Sequence, residues 1–208
     1  MQMRSARGFT TLLFILVAMA PAIAGEHVVL YEEDSDNPTG KPYSGSVTWH
    51  SDRVKSADGQ ADVAIQADVE IPDRKMKMTM LLRRNSDAAF PASHTIELTF
   101  SVPPDFAAGG VGSVPGLLLK SKEQARGMPL AGSTAKVMDG VFLTALYSND
   151  SDRPRNIQLL EQGAWFDVPV VYTNQRRAIL TIEKGSSGQQ AFQAAFDAWQ
   201  LPPGNSKP

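Results

Sequence analysis

The sequence predicts a mainly β chain: an antiparallel β-sandwich-like domain with a short middle helix and a C-terminal helix packed on the sheet. Three observations carry that expectation. Apolar and polar residues alternate in run after run beyond residue 25, the period-two signature of half-buried strands. Asp139-Gly140 lies between two apolar runs, the strongest short-range hairpin signal in the chain. Two longer segments carry helix punctuation instead of alternation.

Taken in order, residues 1–24 read as a secretory signal peptide. Arg4 and Arg7 precede the apolar run "TLLFILVAMA", and Ala22-Ile23-Ala24 supplies the small-x-small cleavage site. The run ends at Pro21, short of the roughly 20 residues that span a bilayer. "HVVLYEED" and "GSVTWHS" then read as strands joined by the turn-rich "DSDNPTGKPYS". In "ADVAIQADVEI", Val63, Ile65, Ala67, Val69 and Ile71 share a face; after Pro72-Asp73, so do Met76, Met78, Met80 and Leu82. The two runs form a hairpin. "SHTIELTFSV" sends Ile96, Leu98, Phe100 and Val102 inward.

Pro and Gly make "PPDFAAGGVGSVPG" a surface loop, and "LLLKS" a short buried strand follows. "SKEQ" from Ser121 has capping-box form, so about one helical turn is expected before Gly127. A hairpin about Asp139-Gly140 comes next. The middle helix begins at a cap on Ser151 or Asp152, has Pro154 in its first turn and stops at Gly163. "WFDVPVVYTNQRRAILTIEKG" reads as a hairpin turning at Asn174-Gln175, and the final helix places Phe192, Phe196 and Trp199 on one stripe. No repeat, long linker or second boundary interrupts 25–200, which reads as a single β-rich domain, and 201–208 reads as a disordered tail.

Without residues 1–24 the chain has 184 residues, and its formal charge moves from −2 to −4 because two arginines leave with the leader. That length supports one core. The chain has no cysteine, so packing alone must hold an exported fold. A mildly acidic chain with scattered cations lacks the electrostatic footprint of a nucleic-acid binder. No stretch beyond the leader is apolar enough for a membrane span. The expected location is periplasmic or secreted.

As a set, "VLYEED", "ADVEIPDRKMKMTM", "PASHTIELTF", "EQARGMPLAG" and "WFDVPVVYTNQRRAILTIEKG" resemble a family of exported alphaproteobacterial proteins of unknown function. The likeness runs over nearly the whole mature chain and implies export, with no activity attached. The closing strand pair and the helix with Phe192 and Phe196 also resemble the end of the invasion-associated locus B proteins, small exported β-sandwich-like proteins of the bacterial envelope. That second likeness covers the tail alone, lacks their cysteines, and bears on architecture only.

Candidate chemistry is sparse. Met76, Met78 and Met80 stand at every second position, about 7 Å apart along a strand. Thioether sulfur suits Cu(I), and His94 or His50 could complete a site. Yet Leu82 continues the same face, so patterning explains the stripe as core. His27, His50 and His94 lack metal-ligand spacing, and His27 falls at an end where order is doubtful. Glu32-Glu33-Asp34-Ser35-Asp36 resembles the start of a calcium loop, but Pro38 and Gly45 occupy ligand positions, which leaves a solvated turn. Ser133-to-Lys136, Tyr147-to-Asn149 and Lys184-to-Ser186 mimic the three penicillin-recognising elements in order, but the first opens a strand where a buried helix is needed. "GGVGSVPG", with Gly110 and Gly112, has no phosphate-loop spacing, yet long loops of this kind often bind. Arg83, Arg84, Arg176 and Arg177 stand at strand ends beside turns, where basic pairs protect edges or meet anionic partners.

The sequence therefore points to an exported non-catalytic envelope binding or interaction protein. Its expected partner is an envelope protein or glycan, and no cofactor is expected. Arg83, Arg84, Arg176, Arg177, Gly110 and Gly112 are the candidate interaction residues. The alternatives are a periplasmic copper-binding protein using Met76, Met78, Met80 and His94, and a polysaccharide-acting hydrolase with two carboxylates facing across a cleft.

Overall fold

The computed structural model describes residues 26–34, 37–56 and 59–200. The expected signal peptide and C-terminal tail lie outside them. The described chain is mainly β, one large antiparallel sheet curled into a half-barrel with two helices. Its strands are β1 (Glu26–Asp34), β2 (Asn37–Lys55), β3 (Ala61–Ile71), β4 (Met76–Arg84), β5 (Ala92–Ser101), β6 (Val111–Ser113), β7 (Leu118–Lys120), β8 (Met128–Pro129), β9 (Gly132–Met138), β10 (Val141–Tyr147), β11 (Trp165–Tyr172) and β12 (Arg177–Glu183). Helix α1 is Asp152–Gln162 and α2 is Gly185–Ala198. The sheet runs β8-β7-β11-β12-β1-β2-β3-β4-β5-β10-β9, with β6 on β11.

Alternation sets the register. Ile65 pairs with Leu82, Ala67 with Met80, Val69 with Met78 and Ile71 with Met76. Met80 faces Leu98 and Met78 faces Phe100 on the other side. All of these are buried in one cluster with Val28, Leu30, Phe166, Val168, Leu180 and Ile182, so the two halves of the curled sheet share a core. Outward positions are polar: Asp68 accepts hydrogen bonds from Thr79 and Gln66.

Helix α2 closes this core. Phe192 lies against Trp49 and Phe166, at ring separations of 5.7 and 6.0 Å. Trp199 follows Phe196 and donates its indole N–H to the Val63 carbonyl at 3.0 Å. Lys184, buried at the β12–α2 junction, donates to the Leu160 and Glu161 carbonyls at 2.6 and 3.2 Å. It thereby caps the end of α1, where a cation is favoured. Burial lowers its pKa to about 8. Buried Asn156 holds α1 to Ala131 through both its N–H and its carbonyl, each at 2.8 Å.

Several local expectations are corrected. Residues 37–44, expected as part of a turn, belong to the first half of the 19-residue β2. Tyr31 pairs with Pro42 and Glu32 with Lys41, while pairing with β3 begins only at Ser46. That half of β2 is an edge, where proline's missing N–H costs no ladder bond. Pro169 uses the same device: β7 ends its pairing with β11 at Asp167 and β6 begins at Val171. The "SKEQ" segment forms bends and turns and no helix. Asn149, which the sequence reading passed over, caps α1 in place of Ser151 or Asp152, accepting from the Ser151 and Asp152 N–H groups at 3.2 and 2.8 Å. His27 is ordered in β1, edge-on to Trp165.

The Pro/Gly-rich loop is also a correction. Phe106, Ala108, Val111 and Val114 are buried, and residues 111–113 form β6. Its Gly109 and Gly110 both have positive φ, 75° and 106°, which glycine tolerates. Thr173 holds this corner, its hydroxyl donating to the Ala108 carbonyl at 2.9 Å and its N–H to Gly110 at 3.0 Å.

Candidate functional site

Register divides the candidate residues between the two ends of the sheet. Glu32 pairs with both Lys41 and Ala178, so the 173–176 turn lies beside the β1–β2 hairpin end. The β3–β4 turn, a 3₁₀ turn at Pro72–Arg74, lies at that same end. Lys55 pairs with Ala61 and Arg84 with His94, at the opposite end. The two arginine pairs are therefore separated by the length of the sheet.

The first end, here the turn end, holds a cleft of about 640 Å³ lined by Glu32, Glu33, Asp34, Lys41, Tyr43, Arg74, Ala107 and Arg176. Its floor is a hydrogen-bonded network. Glu32 is 2 % exposed; its Oε1 accepts from Arg74 Nε at 3.0 Å and from the Tyr172 hydroxyl at 2.8 Å. A buried carboxylate needs such partners. Burial, reinforced by the Glu32 bond and charge, pushes the Tyr172 pKa up, so its proton stays on the phenol and keeps donating. The Arg74 guanidinium packs against the rings of Phe106 and Tyr43, 4.7 and 5.2 Å from their centroids. Lys41 also sits 5.2 Å from the Tyr43 ring. These cation–π contacts fix the wall.

Arg176 reaches into the cleft and donates from Nη2 to the Glu33 carbonyl. Arg177 donates its backbone N–H to Glu33 Oε2 at 3.1 Å and lines a shallower patch with Tyr31 and Ile179. Neither Lys41 nor Arg176 has a carboxylate partner among the described residues. Gly109 and Gly110 line an adjoining groove with Lys136, Asp139 and Thr173. Gly112 packs under the β11 backbone and lines neither.

The other end, the basic end, has a smaller cleft of about 240 Å³, lined by Val54, Lys55, Ser56, Asp62, Arg83, Arg84, Asn85, Ser86 and Thr95. Asp62 is buried and accepts from Arg84 Nε at 3.2 Å and from the Val63 N–H at 2.8 Å. On the core side, His94 is 2 % exposed, 5.1 Å from the Trp199 ring, and neither ring nitrogen has a hydrogen-bond partner. Burial, then the Arg153 and Arg84 charges, pushes its pKa down to about 4.

The copper set is not brought together. Met76, Met78 and Met80 are 2, 1 and 1 % exposed and belong to the buried core cluster. His94 pairs with Arg84, four residues beyond Met80, which is about 13 Å along the strand. His50 is on the outer surface beside Asp52, at 3.1 Å. The lookalike of the penicillin-recognising set is also dispersed: Ser133 and Lys136 lie on edge strand β9, and Lys184 is locked under α2. The hydrolase reading needs carboxylates on facing walls; those of the turn-end cleft, Glu32, Glu33 and Asp34, all come from the end of β1.

Glu32, Lys41, Tyr43 and Arg74 of the cleft lining, and Tyr172 bonded to Glu32, are residues that sequence reasoning missed. Glu32 stood in an acidic run read as a solvated turn, and the signal against that was its place in register with Val28 and Leu30, which are buried. No protein-family model matches this chain, and neither a curated protein nor a solved structure matches it.

Proposed function

We propose that the protein is an exported, non-catalytic binding protein of the bacterial envelope that holds a glycan in the turn-end cleft. The observation that supports this is the balance of the lining. Glu32, Glu33 and Asp34 are matched by Lys41, Arg74 and Arg176, so the described lining is formally neutral yet dense in donors and acceptors. Sugar hydroxyls both donate and accept, and a neutral wall of this kind offers them partners without selecting a net charge. The floor is preorganised, because Glu32, Arg74 and Tyr172 hold one another, which lowers the ordering cost of binding. The engagement of Glu32 by two donors also suits binding better than acid–base work, which needs a carboxyl free to exchange its proton.

The test is co-sedimentation with insoluble peptidoglycan, with a lipopolysaccharide-coated resin as the second glycan. Wild type is expected to sediment with one of them, and Lys41→Ala or Arg176→Ala to remain in the supernatant while melting as wild type does. Failure to sediment with either glycan, or equal binding by both variants, contradicts the proposal.

A further inference from the structure

The basic end differs in charge from the turn end, and that difference assigns it a ligand of its own. Lys55, Arg83 and Arg84 line the smaller cleft against the single carboxylate of Asp62. Asp62 is spent on Arg84 Nε and on the Val63 N–H. The bond to Asp62 orients the Arg84 guanidinium and uses only one of its five N–H donors. Arg83 and Lys55 have no carboxylate partner among the described residues. Among the described residues the cleft is left with an excess of two positive charges.

Shape and donors narrow the ligand further. At about 240 Å³ the cleft is below the roughly 300–1,000 Å³ of sites for whole drug-sized molecules, so it takes a small group. Thr95 lines the cleft together with Lys55, Arg83 and Arg84, so a hydroxyl-bearing residue and three cationic residues border it. Guanidinium forks match tetrahedral and carboxylate oxyanions, and an ammonium adds a point charge. Several donors arriving from β2, β4 and β5 suit the larger number of oxygens on a tetrahedral group. We infer that this cleft is a phosphate-binding site, distinct from the glycan cleft, that takes a phosphate group either as the free ion or as a lipid headgroup.

The test is an amide NMR titration of the folded chain with inorganic phosphate at constant ionic strength, using chloride as the reference. Saturable shifts confined to residues 54–56, 83–86 and 95 are expected. Arg83→Gln and Lys55→Gln should each weaken binding about tenfold, as loss of a charge-assisted bond implies. Lys77→Gln, which removes an exposed cation paired with Glu70, should change nothing. Vesicles of phosphatidylglycerol and of phosphatidylcholine then separate the sources. Arg83-dependent retention by the anionic vesicles alone identifies a headgroup site, and phosphate shifts without retention identify the free ion. Absence of saturable shifts, or shifts that survive both substitutions, overturns the inference. Because no turn-end residue is involved, either result leaves the glycan proposal to its own test.

Discussion

The turn end and the basic end use the same residue types and arrive at opposite electrostatics. At the turn end, Glu32 is buried and bound by Arg74 and Tyr172, and among the described lining residues three acids balance three cations. At the basic end, Asp62 satisfies only one arginine, and Arg83 and Lys55 have no carboxylate partner among the described residues. The lesson is that a cation's meaning depends on what is buried beside it. Arg74 is part of the framework because a desolvated carboxylate depends on it; no carboxylate among the described residues depends in that way on Arg83.

The largest effect expected from that contrast is on stability. Glu32→Ala leaves Arg74 and the Tyr172 hydroxyl without their partner, and breaking a buried pair in this way costs about 4 kcal/mol. Urea unfolding measures it, and a cost below about 1 kcal/mol would show that the turn-end network does not hold the fold. Trp199→Ala, which opens a cavity between α2 and β3 beside His94, should cost about 3 kcal/mol in the same measurement. An unchanged melt would refute the packing of α2.

Acid should act through the basic end. The His94 pKa falls from 6.5 to about 4 on folding, so its neutral form is the one the fold accommodates. The associated stability is complete above pH 6.5 and is lost as the pH drops toward 4, in total about 3 kcal/mol. Urea midpoints across that range should fall, and His94→Leu should flatten the fall; an equally steep profile in the variant would assign the effect elsewhere. The smallest effect is expected for Arg83→Gln, under about 0.5 kcal/mol, as for surface changes without a buried partner. A larger loss would make Arg83 structural and remove the contrast between the ends.

Strand alternation made the sheet legible because the inward positions of β3, β4 and β5 obey a strict period of two, and the stripe of Met76, Met78 and Met80 resolved into core for that reason. The final helix was legible from Phe192, Phe196 and Trp199. The first half of β2 was not, because its turn-forming composition is tolerated on a stretch paired on one side only. The candidate site was half legible. Strand-end position singled out the arginine pairs, but no local pattern says that Arg74, Glu32 and Tyr172 meet from three separate segments. The Pro/Gly-rich loop misled for a related cause: Phe106 and Val111 become buried only once β11 lies beneath them.

The most direct test is an amide NMR titration with a soluble fragment of peptidoglycan and, separately, of lipopolysaccharide core oligosaccharide, read at both ends of the sheet at once. One of the two fragments should give saturable shifts at residues 32–34, 41–43, 74 and 176, while residues 54–56 and 83–86 stay still. Shifts centred on the basic end, or none at the turn end with either fragment, would contradict the assignment of the turn-end cleft as the glycan site.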